Sequence, residues 1–292
     1  MIIDSHAHYA HAWFDREFPF LCEKEGAWDV HRGDREALFA EMERSGIVGA
    51  IEPSIGFDAI EGQCGLVAAH RGYLWAAVGV HPTRCIHTAW SKRKKLARYA
   101  EQKEIIAIGE TGLDYHHPRK MQHRLRQMRW FCYQLRLADR LNLPLVLHIR
   151  AADGHALSIL KRYKKRLHGG VVHCFTGDYS LAKQYLSLGF ALGIGAKLLC
   201  DDAQGRALCD AVRQVPLSCL LAETDAPFVL PDVSDLSCSS HQRKKLCNSS
   251  MILPAVIRKI ATVRGEAYET VEAALFENTV RVFHLAFTND GE

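Results

Sequence analysis

The chain has 292 residues, 48% of them hydrophobic and 24% charged, with a net charge of +4. That composition supports a sizeable core and excludes a disordered or collagen-like chain. No apolar run reaches the roughly 18 residues of a membrane span. The small positive balance does not by itself point to nucleic acid, and the basic clusters at 92–95, 124–140, 161–166 and 243–245 read first as solvated helix faces.

In chain order, eight apolar runs read as strands: 2–6, 47–52, 74–80, 105–110, 144–148, 170–174, 189–194 and 218–223. Most are continuous rather than alternating, as expected when both faces of a strand are buried. Helical patterns fill the gaps. Residues 34–45 start at Asp34, an N-cap type residue, and stop before Gly46. Residues 122–141 form the longest helix, with Leu125, Met128, Phe131, Leu135 and Ala138 as its apolar set. Further helices are expected over 152–166, 180–188, 203–214, 251–264 and 269–287.

Eight strands with helical patterns between most of them predict an α/β TIM (β/α)8 barrel, one domain over 1–292. A doubly wound sheet is the rival, but it needs a Gly-rich phosphate turn after an early strand. The first strand ends instead in His-Ala-His. Two loops exceed a minimal barrel. Residues 10–33 carry Trp13, Phe14, Phe18, Phe20 and Trp28, and residues 229–250 carry Ser, Cys and basic residues. Both are expected on the face where loops shape specificity; the aromatic loop reads equally as a plug over the barrel or as a substrate contact.

The ten cysteines are scattered, with no Cys-x-x-Cys pair. Reduced thiols in a cytoplasm are expected, with Cys132 and Cys174 as small buried hydrophobes. No basic segment followed by an apolar stretch opens the chain, so no signal peptide is expected.

The apolar runs end in metal-ligating side chains. His6 and His8 stand two apart, so on a strand both point to one side. Glu110 ends Ile105–Ile108-Gly109, His148 ends Leu145-Val146-Leu147, His173 ends Val171-Val172, and Asp225 follows Leu220–Thr224. A parallel barrel gathers the C-terminal ends of its strands at one face. A buried unpaired carboxylate is costly, so a cation partner is the natural explanation for this set. Imidazole and carboxylate suit zinc, manganese, iron or nickel, and with waters magnesium. Six ligands exceed the need of one catalytic ion, so two divalent metal ions are expected, with Asp225 and Glu110 as the catalytic carboxylates.

The motifs Asp4-Ser5-His6-Ala7-His8, Val78-Gly79-Val80-His81-Pro82, Ile108-Gly109-Glu110-Thr111-Gly112-Leu113-Asp114-Tyr115, His148-Ile149-Arg150, His173-Cys174-Phe175-Thr176-Gly177 and Glu223-Thr224-Asp225-Ala226-Pro227 resemble the TatD family of metal-dependent hydrolases, as do Gln127 and Gln134 in the long helix. The resemblance covers essentially the whole chain. It implies a barrel, metal binding by His6, His8, Glu110, His148, His173 and Asp225, and hydrolysis of DNA phosphodiester bonds, typically as a 3′-5′ exonuclease. It also implies substrate or supporting roles for His81, Asp114, Glu223 and Arg150. Departures from the family pattern bear on substrate choice. Residues 10–33 are longer than usual, Ile149 stands where Ser is usual, and Asn248 lacks a Pro two residues on.

The leading expectation is therefore a metal-dependent deoxyribonuclease acting on DNA or another phosphoester, with no membrane or obligate protein partner. The second keeps the site and changes the substrate to a small amide, ester or phosphoester. The third is a non-catalytic barrel scaffold.

Overall fold

A computed structural model describes residues 1–24, 26–116, 120–234, 236 and 239–286. Among them run ten strands: β1 (Ile2–Asp4), β2 (Phe18–Lys24), β3 (Ala27–Gly33), β4 (Ile47–Pro53), β5 (Leu74–Val78), β6 (Ile105–Asp114), β7 (Leu145–Arg150), β8 (Gly170–Val172), β9 (Phe190–Ile194) and β10 (Leu220–Ala222). The helices are α1 (Arg35–Arg44), α2 (Ile60–Ala69), α3 (Arg93–Ala100), α4 (Met121–Leu141), α5 (Asp153–Tyr163), α6 (Tyr179–Leu186), α7 (Ala203–Gln214), α8 (Ser240–Arg243), α9 (Leu253–Arg264) and α10 (Tyr268–Phe283).

Eight strands form one sheet in the order β1-β4-β5-β6-β7-β8-β9-β10. β1 pairs with β4 in parallel, and so do β5–β6, β6–β7, β7–β8 and β8–β9. The first and last strands meet as well: Ser5 N–H donates to Ala222 O at 2.9 Å, and Ala7 bridges Ala226 in parallel. A sheet in chain order that returns to its first strand, with helices between strands, is the TIM-type α/β barrel. All eight expected strands are present. Their faces are buried throughout β1, β8, β9 and β10, which is why they read as unbroken apolar runs.

The chain divides into two compact units. The first holds Met1–Ile51, Cys174–Ala182 and Gly193–Asn278; the second holds Glu52–His173, Lys183–Leu192 and the described residues from Thr279 on.

Several expectations are corrected. Residues 10–33 are not simply an irregular connection, because β2 and β3 pair there as an antiparallel ribbon from Phe18↔Gly33 to Lys24↔Ala27. β6 continues to Asp114, so Glu110 sits inside a strand rather than at its end. Helices α2 and α3 had no counterpart among the expected elements. On α4, Leu125 is 55% exposed and Met128 only half-buried; the buried face carries Gln127, Trp130, Phe131, Gln134, Leu135, Leu137 and Ala138. Cys132 and Cys174 are partly exposed rather than buried, and the nine described cysteines are free. The last helix ends at Phe283; its expected end at 287 lies outside the described residues.

Candidate metal centres

In the first unit, His6, His8 and Asp225 meet. His6 Nε2 lies 3.1 Å from His8 Nε2, and Asp225 Oδ1 lies 3.5 Å from the one and 3.3 Å from the other. β1 ends at Asp4 and the chain bends at Ser5 and His6; Ser5 N–H donates to Ala222 O on one side and Ala7 N–H to Ile51 O on the other, which pins the segment that carries both imidazoles. Asp225 turns its carboxylate inward by adopting the left-handed region, φ 58°. That conformation is uncommon outside glycine and is held here by Asp225 N–H donating to His6 O at 2.9 Å.

Beneath these ligands lies a polar knot. Asp4 Oδ1 accepts from the His6 and Thr224 backbone N–H groups, and Asp4 Oδ2 accepts from the Thr224 and Ser250 hydroxyls at 2.6 Å each. Tyr9 reaches the same Ser250, with its hydroxyl 2.6 Å from Ser250 Oγ. Burial drives the Asp4 carboxyl up to about 7 despite these donors. Asn248 donates to Thr224 O and Val229 O, tying the strand that precedes Asp225 to the chain after it. Sequence reasoning gave none of Asp4, Tyr9, Thr224, Asn248 or Ser250 a role. Their only signal is that polar residues flank an apolar strand at the motif positions. Glu223, 1% exposed, accepts from the Cys174 N–H. A side chain at position 193 would meet it, since a Cβ there would fall 1.9 Å from Glu223 Oε2; Gly193 is the space Glu223 occupies.

In the second unit, Glu110, His148 and His173 converge more tightly. Glu110 Oε1 lies 2.8 Å from His148 Nδ1 and 2.8 Å from His173 Nε2, and those nitrogens are 3.0 Å apart. His81 Nε2 stands 3.4 Å from the same oxygen. Burial would raise the Glu110 carboxyl, but His81 and His173, with bonds from His148 and His173, hold it well below the ordinary carboxylate value. His148 turns its other nitrogen, Nε2, toward Asp114 Oδ2 at 3.6 Å. This is the carboxylate–imidazole–ligand order that orients metal-binding histidines. Burial would lower His148, yet the neighbouring carboxylates of Asp114 and Glu110 leave it raised. Burial would raise Asp114, but His148, the His116 N–H and the charge of Arg150 bring it down to about 2.

His81 differs from the others. Its Nδ1 accepts from the Thr83 N–H at 3.2 Å, which assigns the ring proton to Nε2, the nitrogen facing Glu110. Burial lowers its basicity. Two amides of α4 hold this rim. Gln134 accepts from the Val80 N–H at 2.7 Å and donates to Val80 O at 3.2 Å, next to His81. Gln127 grips the Asp114 N–H and C=O at 3.0 and 2.9 Å. Arg150, at the end of β7, is exposed and joins neither ligand group.

Both groups fit divalent metal chemistry: each offers imidazole nitrogens and a carboxylate oxygen within 3.5 Å of one another. The family model for TatD-related DNases matches residues 3–284. The chain belongs to that family. A 3′-5′ ssDNA/RNA exonuclease TatD from Pantoea sp. (strain At-9b) is 35% identical over 257 residues, 87% of this chain and 94% of its own. Its counterpart from Erwinia billingiae is 34% identical over 254 residues, covering 86% and 94%. Among solved structures, the TatD homologue YJJV from Escherichia coli K12 superposes with a TM-score of 0.77 at 26% identity, covering 98% of both chains. A TatD family hydrolase from Entamoeba histolytica, at 19% identity and TM-score 0.76 over 96% of this chain and 97% of its own, shares the fold. TatD-family hydrolases are metal-dependent, and the buried histidine and carboxylate groups are where this member can bind metal.

Proposed function

We propose that this TatD-family chain is a metal-dependent nuclease that hydrolyses phosphodiester bonds of single-stranded DNA or RNA, releasing nucleotides from the 3′ end. The carrying observation is the ligand geometry: six side chains from five separate stretches of sequence gather into two three-donor groups. The relatives' names supply the substrate class.

Two divalent cations are assigned, one held by His6, His8 and Asp225 and one by Glu110, His148 and His173, with zinc, manganese or magnesium as the metal. When bound, such a cation lowers the pKa of a coordinated water toward neutrality and neutralises charge on a phosphoryl oxygen. Asp225 is the proton acceptor. Its side chain is 15% exposed while His6 and His8 beside it are 0% and 4%, so it is the member of that group that solvent reaches. His81 donates a hydrogen bond through Nε2 to a non-bridging phosphate oxygen. Asp114 fixes the His148 ring so that Nδ1 is the ligating nitrogen, and Glu223 holds the Cys174 amide beside His173 in sequence. Nine free cysteines among the described residues suit a reducing compartment such as the cytoplasm; among the described residues no helix is long and apolar enough to cross a membrane.

The test is metal analysis combined with nucleotide release from single- and double-stranded oligonucleotides, on wild type, Asp225→Ala and Glu110→Gln. Wild type is expected to carry about two ions. Glu110→Gln should lose one of them. Asp225→Ala should stay folded while losing at least about 10²-fold in rate. A wild type that binds both ions yet releases no nucleotide with magnesium, manganese or zinc excludes the nuclease reading and favours a small ester or amide substrate.

A further inference from the structure

The two loops that exceed a minimal barrel are joined to each other. Leu21 N–H donates to Cys247 O at 3.1 Å, and Cys247 N–H donates to Pro19 O at 2.9 Å, so the chain after β10 adds a parallel bridge to the β2–β3 ribbon. Between them lies a groove of about 660 Å³. Its cations come from every side: Arg16 from the loop, Arg32 from β3, and Lys244 and Lys245 after α8, all exposed and opposed there by the single acid Glu17. In its wall stands Trp13, 49% exposed, the most exposed tryptophan among the described residues.

Trp13 is fixed rather than trailing. It lies in the short turn Ala12–Phe14, where His11 Nδ1 accepts from its N–H at 3.2 Å, and Arg35 clasps the ends of the turn by donating to Tyr9 O at 2.8 Å and Asp15 at 2.7 Å. Aromatic rings then step from it to the metal ligands. Phe228 is 5.9 Å from Trp13 and 5.9 Å from His8, and His11 bridges them at 5.3 Å from Trp13 and 5.4 Å from Phe228.

We propose that this groove is a binding site for the single strand beyond the nucleotide being cleaved, with Trp13 stacking on an unpaired base and Arg16, Arg32, Lys244 and Lys245 pairing with its phosphates; it rests on the nuclease reading above. Charge complementarity selects a polyanion, and the indole selects one with open base faces. A duplex turns only phosphate and sugar to a flat surface, whereas a single strand offers a π-face at every step. The path of rings to His8 places the strand's reacting end at the ligand group of the same unit.

The experiment uses the full chain and 3′-phosphorothioate oligothymidines, a dinucleotide and one of about 16 nucleotides, the upper range for single-strand binding sites. Anisotropy gives affinity, and nucleotide release from unmodified strands gives activity. Trp13→Ala should weaken the long strand about tenfold, and the ratio of long to short kcat/KM should fall with it. Charge reversal in a Lys244→Glu, Lys245→Glu double variant should cut the salt slope of binding by about 1.4, two single-strand phosphate contacts. Both positions are exposed, so circular dichroism should match wild type. If both variants bind the long strand with wild-type affinity and salt slope while wild type digests it, the groove is not the strand path and the nuclease reading stands. A wild type that neither binds nor digests overturns both.

Discussion

The proton between Asp114 and His148 decides when the second ligand group is ready. A histidine binds metal only when deprotonated. Against its burial, the carboxylates of Asp114, 3.6 Å from Nε2, and of Glu110 raise His148 above the ordinary value of 6.5, so the protonated, non-ligating form persists to higher pH. The sign follows: metal at this group is held at alkaline pH and is lost as pH falls through the raised value. Asp114→Asn removes the carboxylate, lets His148 fall back, and should shift the midpoint of metal release to lower pH, while loosening the ring enough to weaken affinity at pH 8 by about tenfold or more. Titrating bound metal against pH for both proteins checks it; a midpoint unmoved by Asp114→Asn means that Asp114 does not set the ionisation of His148. Glu110 behaves oppositely. Its carboxyl is already held ionised by the surrounding imidazoles, so acid reaches the histidines first.

Strands and helices carry these side chains, and what they hold fast is testable on α4. Gln134 satisfies both Val80 backbone groups from inside the core, at 0% exposure. Gln134→Leu keeps the volume but leaves the buried Val80 N–H without its partner and the Val80 C=O with only the weak Cys85 thiol at 3.8 Å, a loss of about 1–3 kcal/mol. A lower urea midpoint with unchanged m-value is the expected result, together with weaker activity as His81 drifts; a midpoint within error of wild type would mean that water replaces the amide. This pairing also shows where the sequence is legible. The eight barrel strands and the gathering of His6, His8, Glu110, His148, His173 and Asp225 into two groups could be read because continuous apolar runs end, or nearly end, in residues that no core tolerates without a partner. Asp34 could be read too, and its side chain does cap α1, accepting from the Ala37 N–H at 2.9 Å. Gln134 and Gln127 fall in step with the apolar face of α4, so polarity hid their burial. The β2–β3 ribbon was hidden as well: its β3 strand is exposed or half-exposed throughout, and the second neighbour of β2, bridged at Phe20, is Cys247, far along the chain. Helix α2 escaped because Gly62 and Gly65 break its pattern, and α3 because its Arg-Lys-Lys start reads as a surface charge run. Asp4, the most deeply engaged carboxylate in the first unit, binds three chain segments that only the closed sheet assembles.

At the scale of the whole chain, the two ligand groups bear on stability through linkage rather than through folding itself. A cation that binds only the native state adds about 2.7 kcal/mol at a concentration 100 times its Kd. Small metal-folded domains lose their structure on chelation because the metal replaces a core. Each unit of this chain buries many apolar side chains of its own, from β1, β10 and α9 in the first and from β5 to β8 in the second. Its buried ligand carboxylate is also compensated without metal: Glu110 has His81, His148 and His173 within 3.4 Å. Chelation should therefore leave a folded protein with unchanged far-ultraviolet circular dichroism and a lower thermal midpoint. At about 2–4 °C per kcal/mol, the drop is about 5–10 °C for each site that had been saturated at that level. Restoring zinc or manganese should return it in proportion to free metal, and Glu110→Gln, lacking one site, should show roughly half the response. A thermal midpoint indifferent to chelator and to added metal would mean that the two clusters are hydrogen-bonded histidine networks, and the hydrolytic assignment would lose its chemistry.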